Sequence, residues 1–212
     1  MAPGSVVSAD ASRLDTGRVC LDLMATAHPR ERLRSARALR AWIIGRGLVP
    51  AGTDLSHVDA SWPAAFRELR AHTARLLVTR PAPDPAYDRA LAHVNALARA
   101  NPPVLRAVPG GEGALIRESG ETPGLAAMLA VPARDAVDLF TDPAARAALR
   151  RCQGVGCRIV YLDTSRGRRR RWCRSETCGN RERVARHRRR SAGGTGDRGE
   201  ADLGAATSDR SV

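Results

Sequence analysis

Four of the five cysteines fall within a short stretch, as Cys152-x4-Cys157-x15-Cys173-x4-Cys178. Two close pairs on either side of an insert is the layout of a tetrahedral four-thiolate zinc site. Each pair supplies two ligands from one tight loop, and the insert lets the pairs converge. Gly154, Gly156 and Gly179 permit the close turns. Four thiolates close the tetrahedron, so Zn²⁺ is expected to be structural and not catalytic. A stability argument points the same way. Between Cys152 and Arg181 the larger apolar residues are only Val155, Ile159, Val160, Tyr161, Leu162 and Trp172. Segments below about 40 residues usually need a staple, and zinc supplies on the order of 10–16 kcal/mol in such modules. The alternatives are two disulfides, unpaired redox thiols, or His187 in place of one cysteine. Cys20 stands alone in an apolar stretch and reads as a buried core thiol.

The charge is concentrated where these cysteines are. The 212-residue chain has a net charge of +13, and all of its 35 basic side chains are arginine. Residues 1–149 hold 18 arginines and 15 acids; residues 150–190 hold 15 arginines against Asp163, Glu176 and Glu182. A GC-rich genome explains an arginine-only complement but not its clustering. A local basic cluster is the footprint of a nucleic-acid-binding module. Four thiolates around Zn²⁺ carry a formal charge of −2, so some arginines neutralise the site and the rest need a partner.

The elements that position this segment follow from periodicity and punctuation. Val19–Met24 is a short apolar run, either a strand or the first turn of a helix. Leu33, Ala36, Leu39 and Ile43 share one face of a helix over 31–46. Pro63 opens a helix over 63–79, and Asp84-Pro85 caps a third that stops before Asn101-Pro102-Pro103. Val104–Val108 and Ala114–Glu118 flank a Gly-rich turn and predict a β-hairpin. Leu125, Met128 and Leu129 start a helical pattern that Pro132 should break or kink. Asp142-Pro143 repeats the cap, and a last helix is expected to run into Cys152.

Within the basic segment, Arg158–Leu162 reads as a strand, Asp163–Gly167 as a turn and Arg168–Trp172 as the returning strand. Asn180 is placed as the N-cap of a helix over Arg181–Arg190, with Val184 and His187 forming the stripe that docks on the zinc site. Trp172 is expected to cover the zinc knuckle. Exposed arginines on the hairpin and helix would then grip phosphates.

The run CQGVGCRIVYLDTSRGRRRRWCRSETCGNRERVARHRRR at 152–190 closely resembles the CGNR zinc finger, named for Cys178-Gly179-Asn180-Arg181 here. The Leu162–Arg166 run and the Trp172-Cys173 pair also match. In that family the finger follows an ABATE-type domain, in proteins that look like stress-linked transcription regulators. Residues 19–149 resemble such a domain: an early Leu21-Asp22 element, Trp42 on the first long helix, a hairpin, then helices leading to the finger. One departure is Ala25, which stands where the family often has Asn.

These readings together predict an α+β protein. A mainly helical N-terminal domain with a β-hairpin is followed by a small treble-clef-like zinc-binding module. Residues 1–15 are expected to be a flexible N-terminus, 16–149 an ABATE-like sensor or dimerisation domain, 150–190 the finger and 191–212 a disordered tail. The expected function is transcription regulation through DNA binding. Cys152, Cys157, Cys173 and Cys178 would hold Zn²⁺; Arg166, Arg168, Arg169, Arg170, Arg171, Arg181, Arg183, Arg186, Arg189 and Arg190 would bind nucleic acid, most simply duplex DNA. The alternatives are RNA binding, or a protein-interaction module with purely structural zinc. A small-molecule effector and a homodimer are the further partners such an N-terminal domain would have. No nucleophile elbow, P-loop or His-Glu-x-x-His pattern supports an enzyme. Neither a signal peptide nor an apolar run of membrane-spanning length is visible, so a cytoplasmic protein is expected.

Overall fold

The computed structural model describes residues 16–77 and 84–193. The first helix, α1 (Val19–Ala25), is buried at Cys20, Leu21, Asp22, Leu23 and Ala25. A helix apolar on nearly every side must be covered on nearly every side, and α1 is the centre of the molecule. It packs on α3 (Trp62–Leu76) and α5 (Leu125–Thr141), with α4 (Pro85–Ala98) against both of those and α2 (Ala36–Gly45) against α3. The core joins Leu39 and Ile43, Phe66 and Leu69, Ala90 and Val94, and Met128, Ala133 and Leu139. Trp42 meets Phe66 edge-on at 5.9 Å.

Helix starts follow the caps. Ser35 Oγ accepts from Ala38 N, Asp84 from Ala86 and Tyr87 N, and Asp142 from Ala144 N. The first long helix therefore begins at Ala36 and not at residue 31. Leu33 is nonetheless buried, in the loop before it. Pro132 does not break α5, which runs through it. A proline removes one backbone hydrogen bond, but buried Met128, Leu129, Ala133, Ala136 and Leu139 anchor this helix on both sides of it. The hairpin of β1 (Leu105–Pro109) and β2 (Leu115–Ser119) forms in the register Ala107↔Arg117 and lies largely exposed.

The short helix α6 (Pro143–Ala147) does not reach Cys152. It gives way to β3 (Leu149–Arg151), which pairs antiparallel with β4 (Val160–Leu162) in the register Arg150↔Tyr161. This two-stranded sheet serves two cores. Val160 and Leu162 pack on the helical core, while Ile159 and Tyr161 face the cysteines, as the alternation of a strand requires. Leu162 N donates to Thr16 O at 2.8 Å and Asp163 N to Ala148 O at 2.9 Å. Gly17, at φ +87°, lies so close to β4 that a Cβ there would stand 3.1 Å from Leu162 Cβ. Ala25 packs directly against the cysteine cluster. The module is thus seated on α1 and not tethered by a linker. A final helix, α7 (Asn180–Gly193), follows a π turn at Ser175–Gly179. Residues 1–15 and nearly all of the expected tail, from 194 onward, lie outside the described residues.

Candidate metal centre and basic surface

The first pair of cysteines sits on the loop between β3 and β4, and Cys178 sits in the π turn that leads into α7. One ligand atom from each of Cys152, Cys157, Cys173 and Cys178 falls within 4.8 Å of every other. Cys157 Sγ lies 3.8 Å from Cys173 Sγ, which lies 3.7 Å from Cys178 Sγ. A tetrahedron with Zn–S near 2.3 Å sets neighbouring sulfurs about 3.8 Å apart, so the cysteines are positioned to bind one zinc ion. All are free thiols. His187 is exposed and outside the cluster.

The peptide around the site favours the thiolate of Cys152. Gly154 N and Cys173 N both point at Cys152 Sγ, at 3.4 and 3.3 Å. Burial raises the Cys152 pKa, but these N–H groups, together with the Cys157 and Cys173 thiols, outweigh it and hold the thiol below its ordinary value. Burial pushes Cys157 up to about 11 and Cys173 further still. Without metal those protons stay on, and zinc must displace them. Gly154 is a steric requirement: a Cβ there would stand 3.0 Å from Cys178 Cβ and 3.2 Å from its sulfur.

Residues 168–172 do not form a returning strand. The partner of β4 is β3, and the segment after Leu162 is a loop held by side chains. Asp163, 1% exposed, accepts from Ser165 N, Ser165 Oγ and Arg170 N. Those bonds, Ser165's first, hold its carboxyl below the usual range. Tyr161 Oη donates to Arg170 O at 2.5 Å. The guanidinium of Arg170 turns inward, 4.5 Å over the Tyr161 ring, and donates to Trp172 O and Cys173 O. Arg170 therefore builds the loop. Arg166, Arg168, Arg169 and Arg171 are exposed, although Arg171 Nε also reaches Gln153 Oε1 at 2.7 Å. Half-buried Trp172 packs against the cysteine cluster, as expected.

Asn180 is not a cap. Its φ of −67° and ψ of −43° are helical, and the backbone is already coiled from Ser175. The π turn inserts an extra residue before the regular helix and so rotates its phase. Val184, at 42% exposed, and His187 face outward. Glu182 and Ala185 are the half-buried positions, and Glu182 Oε1 accepts from Val155 N at 3.2 Å. Arg181, Arg183, Arg186, Arg189 and Arg190 are all exposed.

Sequence reasoning missed the contribution of the N-terminal domain. A cavity of about 320 Å³ opens beside the thiolates, lined in part by His28 and Arg32 together with Arg174 and Arg181. No local signal pairs residues so far apart in the chain. The nearest clue in the sequence is Ala25, which packs on the cysteine cluster and departs from the pattern of the family the chain resembles.

Residues 17–143 match the ABATE family, described as "Putative stress-induced transcription regulator". Residues 148–191 match the CGNR zinc finger. A comparison with curated proteins found no match.

Proposed function

The chain belongs to the ABATE family and ends in a CGNR zinc finger, and from that premise we propose that it regulates transcription by binding duplex DNA through this module. The observation that carries the reading is the exposed guanidinium surface beside the cysteines. Arg166, Arg168, Arg169 and Arg171 stand on one loop, and Arg181, Arg183, Arg186, Arg189 and Arg190 on the helix next to it. Guanidinium groups pair with phosphate in two-pronged hydrogen bonds. An exposed helix of this kind suits the major groove or the flanking backbone. The closed four-thiolate set supports a non-enzymatic role. The N-terminal domain would take the stress signal, through an effector or a second copy. The regulator would meet DNA in the cytoplasm; no helix among the described residues is long and apolar enough to cross a membrane.

Titration of a DNA duplex with the zinc-loaded chain at several salt concentrations tests this. Affinity should fall with a log–log slope of about −0.9 per phosphate contacted. Arg169→Ala with Arg171→Ala should reduce that slope by about 2 contacts' worth and weaken all sequences alike. Binding that is absent or insensitive to salt overturns the proposal. Stronger binding to RNA than to the duplex overturns the choice of DNA.

A further inference from the structure

We propose that α3 and α4 together hold a second divalent transition-metal ion, bound by Glu68, His72 and His93. A ligand atom from each of these residues lies within 4.8 Å of the others. Glu68 and His72 stand four residues apart on α3 and so share one face of it. His93 comes from α4, the helix packed alongside. The two imidazoles are stacked at 4.2 Å between centroids and 29° from parallel.

Three features make this group a binding site and not a chance neighbourhood. The first is a vacancy in the hydrogen bonding. His93 Nε2 is buried and has no partner among the described residues, and a buried polar atom without one calls for a bound water or ion. The second is charge. Two imidazolium rings so close repel each other, and partial burial together with His93 lowers the His72 pKa. Neutral imidazole is the form that ligates metal. The third is chemical type. Two imidazoles and one carboxylate suit Zn²⁺, Ni²⁺, Co²⁺ or Cu²⁺; Mg²⁺ and Ca²⁺ favour all-oxygen sets.

The site differs in kind from the cysteine centre. Three protein ligands leave at least one position to water or another small ligand, so the ion is exchangeable. Glu68 is exposed at the rim and both histidines are partly buried. Binding would tilt the imidazoles out of their stack and tie α3 to α4. The N-terminal domain would then carry an inorganic ligand of its own, independent of the zinc finger and of DNA.

The test titrates Co²⁺ into the full chain with zinc already in the cysteine site. The expected result is one further equivalent of cobalt, with the weak d–d bands of nitrogen and oxygen ligands and no sulfur charge-transfer band. His72→Gln and His93→Gln should each lower its affinity at least about tenfold and leave the zinc content unchanged. Imidazole proton signals of the unmodified protein provide a readout that needs no variant. Those of His72 and His93 should shift or broaden with cobalt, and those of His28, His57 and His187 should not. Absence of a second equivalent overturns the proposal, as does a second equivalent that leaves the His72 and His93 signals unmoved.

Discussion

The two halves of this molecule reach order by different physics. The helical domain buries apolar side chains from α1 to α5 in one large core, to which β4 adds Val160 and Leu162. The zinc module has a small cluster of cysteines, Ile159, Tyr161 and Ala25, and a loop held by hydrogen bonds to one buried carboxylate. An apolar core gains stability in proportion to buried area, which a segment this short cannot accumulate. A metal supplies it at one point. The difference frees the module's outer surface for arginine, since few of its side chains are needed inside.

Removing the zinc should have the largest effect. Chelation, or Cys173→Ser, withdraws on the order of 10–16 kcal/mol. The module should unfold while far-ultraviolet circular dichroism still reports α1–α5. If both halves melt together, the shared β3–β4 sheet couples them and the contrast breaks. Acid is a milder route to the same state. Protons compete with zinc for the thiolates, and burial raises Cys157 and Cys173 in the metal-free protein, so zinc affinity falls as pH falls. In the helical domain the dependence has the same sign but sets in at lower pH. The Arg70 hydrogen bond holds Glu31 low, and the Tyr87 N–H holds Asp84 low with help from Arg75. Stability from depressed carboxylates is present above their unfolded pKa, about 4, and is lost only as pH falls through the lower folded value. Metal analysis across a pH series should therefore show zinc leaving while the helical signal persists.

Phe66→Ala is the matching perturbation of the other half. Phe66 is fully buried, and its truncation should cost about 3–5 kcal/mol. Thermal melting should show the loss in the helical domain, with the zinc affinity changed far less. Asp163→Ala should cost about 1–3 kcal/mol by removing the acceptor shared by three partly buried donors. Its effect should appear as weaker zinc retention and faster amide exchange at Ser165 and Arg170. The smallest change belongs to Arg106→Ala. The Arg106–Glu118 pair is exposed on the hairpin, and its loss should stay under about 1 kcal/mol in denaturant titration.

Much of this was legible where a local rule acts alone. The caps at Asp84 and Asp142 start their helices because a side-chain oxygen meets the nearest free N–H groups, and nothing distant is involved. The four cysteines declare their site because ligand type and spacing suffice. The failures share a cause. Pairing with its nearest neighbour predicts a strand from Arg168 to Trp172, but Asp163 and Tyr161 bind its backbone and β3 takes the edge of β4. The chemistry of Pro132 alone predicts a break or a kink, and the burial of the helix around it is what carries α5 through without a break. Counting from Asn180 places Val184 inward, but the π turn before it shifts the count.

By itself, then, the sequence determined that four cysteines are spaced to bind one zinc ion, that the basic charge gathers there, and that capped amphipathic helices precede it. These depend on residue type and short spacing, which no tertiary context overrides. Only the folded structure decided that Arg170 points inward while its neighbours point out, that Ala25 and Arg32 belong to the surroundings of the cysteines, and that Glu68, His72 and His93 meet. Those outcomes depend on which surfaces exclude water together, and that is settled by packing between segments that the chain keeps far apart.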